Sequence, residues 1–263
     1  MPEGDTVFKT AQLQNAALAG RTLTGFDIRV PKFATVDLTS QVVREVVSVG
    51  KHLFHRFAGP GEQNLSLHTH LKMEGAWRTV APGRRWPAPA HLARVVLSTA
   101  DVVAIGFQLG VTELLPTADE ATVVGHLGPD LLGAWSEAEA MRRLGEHPEA
   151  PIFVALLDQR NLAGIGNVYA NELCFLRGVL PTRPVGEVGD LPAMVRLAQR
   201  MLEANKARWT RSTTGDLRPG RQTWVYGRAG LPCRRCGTRL LGGELGERPG
   251  QERVVTWCPV CQG

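Results

Sequence analysis

Hydrophobic positions change their period twice along the chain. From Thr6 to Ala19, Val7, Ala11 and Leu18 fall on one face of a helix; Asp5 or Thr6 can cap its start and Gly20 ends it. The period then shortens. The stretches "TLTGFDIRV", "VVREVVSVGKHLFHRF", "NLSLHTHLKM" and "ARVVLSTADVVAIGF" are rich in Val and Leu and separated by Gly, Pro and Asp, so they predict successive short strands. A run of such strands through about Leu115 suggests a β-sandwich or barrel. Within "NLSLHTHLKM" the alternation assigns Leu65, Leu67, Leu71 and Met73 to one face and Ser66, His68, His70 and Lys72 to the other. A solvated polar face is the plain reading of the second set.

From about Gly128 to Arg211 the pattern turns helical, in "SEAEAMRRL", "PIFVALLD", "NVYANELCFLRG" and "LPAMVRLAQRMLEANKARW". From about Asp216 the chain reads as Arg-rich loops carrying paired cysteines. Three parts follow from these changes: 1–120, 128–215 and 216–263.

Charge sharpens that division. Residues 1–200 hold 19 Lys/Arg against 20 Asp/Glu, whereas residues 201–263 hold 11 against 5. A basic C-terminal part fits a polyanion such as nucleic acid, although basic tails also serve solubility. Arginine outnumbers lysine 25 to 5, so each lysine stands where this chain ordinarily places arginine. Lysine, unlike arginine, can release its proton. No apolar run approaches the ~20 residues of a membrane span and no secretory leader is evident, which predicts a soluble, intracellular protein without membrane contact.

The cysteines carry the most specific pattern. Cys233-x2-Cys236-x21-Cys258-x2-Cys261 can place four thiolates around one zinc ion, with two β-hairpins bearing the knuckles. Four cysteine ligands leave no open coordination position, so the metal is expected to be structural and to supply much of this segment's folding free energy. Cys174, inside a helical stretch, reads as a small buried hydrophobe.

In "LAGIGNVYANE", Gly164 and Gly166 precede Asn167 at a helix start. Free backbone N–H groups there could hold a phosphate, or the glycines could simply cap a helical hairpin. Tyr169, Leu173 and Leu176 fall at core spacing. In "MPEGDT", Pro2 can be a rigid helix starter. If Met1 is removed, it can instead be a secondary-amine nucleophile, with Glu3 beside it as a proton donor.

Taken together, "MPEGDT", "VGKHLF", "HTHLKMEGAW", "LLDQRNLAGIGNVYANE", "WVYGRAGLPCRRCG" and "WCPVCQ" occur in the order and spacing of the formamidopyrimidine-DNA glycosylase/endonuclease VIII family. The chain resembles that family over nearly its whole length, and the actinobacterial endonuclease VIII-like branch most. The resemblance implies an α+β multidomain fold: an N-terminal β-sandwich with a leading helix, a helix-two-turns-helix domain and a C-terminal β-hairpin zinc finger. It implies a bifunctional DNA glycosylase and AP lyase of base excision repair, acting on damaged DNA as a monomer in the bacterial cytoplasm at the nucleoid.

By the same resemblance Pro2 is the nucleophile, Glu3 the acid that protonates the sugar oxygen, and Lys51 a second proton donor and phosphate contact. Asn167 and His70 are phosphate contacts. Arg253 grips phosphate beside the lesion and serves δ-elimination. Much of the family has Pro-Glu where Asp5-Thr6 stands here. The purine-specific branch carries an Arg-Arg-Phe loop where this chain has "GFQLG", with Gln108 and Leu109. Void filling then falls to Met73 and its neighbours, and oxidised pyrimidines or abasic sites are expected ahead of 8-oxoguanine. Competing readings are an enzyme preferring oxidised purines, a non-catalytic binder of damaged or single-stranded DNA, and a zinc-ribbon module acting on RNA or protein.

Overall fold

A computed structural model describes residues 2–59 and 64–263. The chain divides into two compact units, one ending at His126 and the other running from Leu127 to Gly263.

The first unit opens with α1 (Gly4–Leu18). Val7, Ala11 and Leu18 are buried as their spacing requires, and Gly20 leaves the helix at φ +77°. The start differs from the expected caps. Helical hydrogen bonding already begins at the Glu3 carbonyl, which accepts from the amides of Thr6 and Val7, so Asp5 and Thr6 lie inside the first turn. Asp5 Oδ1 accepts from its neighbour's amide, Thr6 N, at 2.8 Å.

Eight strands follow: β1 (Gly25–Ile28), β2 (Val42–Val49), β3 (His52–Ala58), β4 (Leu65–His70), β5 (Ala76–Val80), β6 (Ala93–Ser98), β7 (Val103–Phe107) and β8 (Val111–Pro116). They form two antiparallel four-stranded sheets, ordered β1-β6-β7-β5 and β2-β3-β4-β8. Leu53, Phe57 and Leu67 from one sheet meet Val95, Leu97 and Ala104 from the other, and α1 adds Val7 and Leu18 to the same core. The unit is therefore a β-sandwich with a leading helix, closed by α2 (Glu120–Val124).

In β4 the predicted two faces need correction. The regular alternation ends at His70; Met73 lies in the following turn and is 58% exposed rather than sharing the Leu67 face. The opposite face is solvated only past the strand's end, where Lys72 is exposed: Ser66 and His68 are buried, Ser66 bonded to Glu120 of α2 and His68 to Glu113 of β8. Glu120 accepts from Ser66 Oγ and from both Nε and Nη2 of Arg56, which neutralises a buried carboxylate.

The second unit is built on α3 (Glu137–Gly145), α4 (Ile152–Leu157), α5 (Asn167–Leu176) and α6 (Leu191–Asn205). Ser136 caps α3 by accepting from Glu139 N, and Asp190 caps α6 by accepting from Ala193 N. Their apolar faces, with Phe153, Tyr169, Leu173, Cys174 and Leu202, form one core. Beyond α6 lies the cysteine region. There β9 (Leu241–Leu245) and β10 (Arg253–Trp257) make a hairpin that carries the second knuckle, and an isolated antiparallel bridge between Pro232 and Arg239 closes the first. Among the described residues no helix is long and apolar enough to cross a membrane.

Candidate active site and nucleic-acid interface

Pro2 is half-buried directly ahead of α1, and Glu3, the residue at that helix's N-cap, is fully buried. The positive end of the helix dipole therefore sits beside Pro2. Expectations about Met1 fall outside the described residues. α1 packs along β2 and reaches β3 and β5. Lys51 lies in the β2–β3 turn, next to Gly50 at φ +57°.

His70, at the end of β4, is paired across strands with His52. Its Nδ1 accepts from the Lys72 backbone amide at 3.0 Å. An amide can only donate, so the His70 proton must sit on Nε2, which is then a hydrogen-bond donor. Burial, followed by the charges of Lys72 and Lys51, pushes the His70 imidazole down to about 4. Lys51, His70 and Lys72 thus share one electrostatic neighbourhood.

Behind His70 lies a relay the sequence did not reveal. Glu113 Oε2 stands 3.0 Å from His68 Nδ1, and His68 Nε2 stands 2.9 Å from His52 Nδ1. A carboxylate can only accept, so His68 donates to Glu113 and accepts from His52. Burial holds His52 down at about 3 and lowers His68 as well, so both imidazoles of the relay stay neutral at ordinary pH. The available signal was "HLF" beside "HTH": three histidines that meet only once β3 and β4 are in register.

Met73 is exposed between Lys72, held at φ +53°, and the turn closed by the Gly75 N–Leu71 O hydrogen bond. In "GFQLG", Gln108 is exposed at φ +47°, whereas Leu109 is buried against Gly106 and the Trp77 ring. Leu109 is therefore a core residue, not a free wedge.

In the second unit Asn167 is the first residue of α5, after Gly164 at φ +111°. It is nearly buried, and its Oδ1 accepts from Asn171 Nδ2 at 3.2 Å. Asn171 in turn bonds β10, accepting from Thr256 N at 2.7 Å and donating to Val254 O at 3.3 Å. Arg253, the first residue of β10, is exposed. One helix thus fixes Asn167 and the strand of Arg253 in a single unit.

Glu172 is fully buried beside it. The amides of Trp224, Val225 and Tyr226 donate to its carboxylate, as does the Thr213 hydroxyl. Burial raises its pKa despite these donors. Asn171 and Glu172, two polar letters within "NVYANE", were the visible hint that one side of α5 docks polar partners.

The four cysteine sulfurs lie within 4.8 Å of one another, with Cys233–Cys261 at 3.9 Å and Cys236–Cys258 at 3.5 Å. Thiolates at ~2.3 Å from a tetrahedral zinc stand about 3.8 Å apart, far beyond the ~2.05 Å of a disulfide. The set could hold a metal ion.

Residues 1–108 match the formamidopyrimidine-DNA glycosylase N-terminal domain, and residues 127–204 match the H2TH domain of the same glycosylases. The chain is 55% identical over its full length to the DNA-(apurinic or apyrimidinic site) lyase Nei2 of Mycolicibacterium smegmatis, covering 99% of that protein. It belongs to the formamidopyrimidine-DNA glycosylase/endonuclease VIII family.

Other members of the formamidopyrimidine-DNA glycosylase/endonuclease VIII family agree. The probable endonuclease 8 2 of Streptomyces coelicolor is 52% identical across the whole chain and 94% of that relative. The fold matches the Lactococcus lactis Fpg solved with abasic-site DNA at a TM-score of 0.81, over 99% of each chain, with 21% identity. The expected family architecture of sandwich, H2TH helices and cysteine-bearing hairpin is the one observed.

Proposed function

We propose that the chain is a bifunctional DNA glycosylase and AP lyase that removes oxidised bases, pyrimidines ahead of purines, through a Schiff base on Pro2. The carrying observation is the placement of Pro2 and Glu3 at the head of α1: a half-buried proline, which becomes a secondary amine once Met1 is removed, with a fully buried carboxyl beside it. The names of the M. smegmatis and S. coelicolor relatives support the same reaction.

In this reading the neutral Pro2 amine attacks C1′, the damaged base leaves with the glycosidic electron pair, and the proton shed by the amine goes to the departing base. Glu3 delivers a proton to O4′ as the C1′–O4′ bond opens, leaving an iminium on C1′. Loss of a C2′ proton expels the 3′ phosphate, and loss of a further proton expels the 5′ phosphate. Lys51 donates a proton and contacts phosphate, His70 donates its Nε2 hydrogen to phosphate, and Asn167 and Arg253 clamp the backbone. Flipping a nucleotide costs a few kcal/mol, which such phosphate contacts offset. Met73 occupies the void.

Cys233, Cys236, Cys258 and Cys261 hold one zinc ion, which shapes the hairpin under Arg253. The parts 1–120, 128–215 and 216–263 serve as catalytic sandwich, DNA-binding helices and finger, acting as a monomer at the nucleoid.

Borohydride trapping on an abasic-site oligonucleotide tests the proposal. A covalent adduct is expected with the Met1-processed protein and none with Pro2→Gly. An adduct that survives Pro2→Gly moves the nucleophile elsewhere, and no adduct with the wild type refutes the activity. Faster excision of 8-oxoguanine opposite cytosine than of thymine glycol or 5-hydroxycytosine would overturn the substrate order.

A further inference from the structure

The most exposed large hydrophobic residue among those described is Trp209, at 84%. Tryptophan is ordinarily well buried, so a ring held in solvent calls for a physical account. Trp209 is not on a loose tail. It sits in a short loop just beyond α6 whose base is pinned by buried polar residues: Asn205 Oδ1 accepts from Ser212 N at 2.8 Å, and Asn205 Nδ2 donates to Ser212 O at 3.0 Å. Asn205 also anchors to α6 through Met201 O, and Arg208 N bonds the Asn205 carbonyl. The loop between these pins presents its middle residues outward.

Basic residues flank Trp209 along the chain. Arg208 and Arg211 lie within two residues of it, Lys206 three residues before it pairs with Glu203 at 2.6 Å, and no acidic residue lies between Asn205 and Thr214. The Arg211 guanidinium is stacked 5.0 Å over the ring of Tyr169, in the first turn of α5 that Asn167 begins. Thr213, just past the loop, bonds Glu172 of the same helix. The loop is therefore fastened to the element proposed to grip phosphate.

A flat aromatic face beside fixed cations is the arrangement that binds unpaired nucleobases: the cations track the backbone while the ring stacks on a base. Paired bases inside a duplex do not offer a face, so such a platform selects bases that are single-stranded or already extruded. We infer that Trp209 is a stacking platform for an unpaired nucleobase, with Arg208 and Arg211 holding the flanking phosphates. This rests on the DNA-repair reading above and deepens it, since it assigns the chain a preference for lesions in unpaired DNA.

The experiment compares the affinity of the zinc-loaded full chain for a 12-nucleotide oligo(dT) and for a 12-unit tetrahydrofuran oligomer, which keeps the phosphates and lacks bases. The wild type is expected to prefer oligo(dT). Trp209→Ala should lose roughly 5- to 100-fold in oligo(dT) affinity, as removal of one stacking ring does, and should bind the baseless oligomer as the wild type does. Trp209→Phe should restore most of the preference. An unchanged oligo(dT) preference in Trp209→Ala, or an equal loss on both oligomers, overturns the platform. Zinc content and thermal melting of each variant separate misfolding from lost stacking, and Trp209→Gln, which has no aromatic face and should lose the preference as Trp209→Ala does, decides the matter if Trp209→Ala fails to fold. Borohydride trapping of the wild type reports independently on the underlying lyase reading.

Discussion

Asn171 Oδ1 accepts the backbone N–H of Thr256 at 2.7 Å, joining the second turn of α5 to the strand that begins at Arg253. Through its Nδ2, the same side chain holds the Asn167 carbonyl at 2.8 Å. Two residues on separate elements thus share one support. Asn171→Ala should leave Thr256 N buried without its acceptor and cost about 1–3 kcal/mol in denaturant unfolding. It should also weaken DNA binding, although Asn171 itself is buried.

Arg253→Ala tests the clamp itself. Among the described residues its guanidinium hydrogen bonds reach only the carbonyls of the two preceding residues, Gln251 and Glu252, so truncation should not disturb the fold. The slope of log affinity against log salt should fall by about one, as for loss of one phosphate contact. Gel analysis of cleaved abasic DNA should show β-elimination product accumulating over δ-product.

Met73 and Leu109 make opposite predictions. Met73 is exposed beside the left-handed Lys72, whereas Leu109 fills space against Trp77. Met73→Ala should slow base excision from duplex DNA with little change in melting temperature. Leu109→Ala should behave as a core deletion and cost about 2–5 kcal/mol of stability. Equal stability losses in the two variants would contradict the assignment.

Acid should unfold the sandwich early. His55 is fully buried on the Trp77 ring, neither ring nitrogen has a hydrogen-bond partner among the described residues, and burial pushes it down to about 3. A folded pKa below the unfolded one means stability is fully present above about 6.5 and is lost as pH falls toward 3. Moving from pH 7.5 to 5 should cost about 2 kcal/mol from His55 alone. His52 and His70, also lowered by burial, add to the loss in the same direction. His55→Leu should flatten the acid limb of a melting-temperature profile and raise stability at neutral pH.

Metal removal should act on the finger first. Among the described residues the buried apolar cluster beside the cysteines is small: Phe175, Val225 and Leu240 with Cys233 and Cys258, and Leu176, Trp224 and Cys261 packed against it half-buried. So small a core cannot order the segment without metal. A chelator should release about one zinc per chain, abolish DNA binding, and leave the sandwich's own unfolding transition in place.

The local and the metal-directed features were legible in the sequence. The period of apolar residues located α1, β2, β3 and the H2TH helices, because a helix or strand must turn one face to the core whatever its neighbours are. Cys233, Cys236, Cys258 and Cys261 were legible because ligand spacing fits one coordination geometry. Pro2 and Glu3, by contrast, read better as a helix start than as chemistry until the rest of the chain supplied its family.

Tertiary structure alone decided what depends on two segments meeting. Ser66 and His68 follow a solvent-facing alternation, yet Glu120 and β8 cover them. The Glu113–His68–His52 relay needs three strands in one register, and Asn171 needs β10 beside α5. Leu109 and Met73 are both apolar letters in turns; only packing against Gly106 and Trp77 made one core and left the other exposed. Periodicity records a residue's preference for a face, while the buried or open state of that face belongs to whichever distant segment covers it.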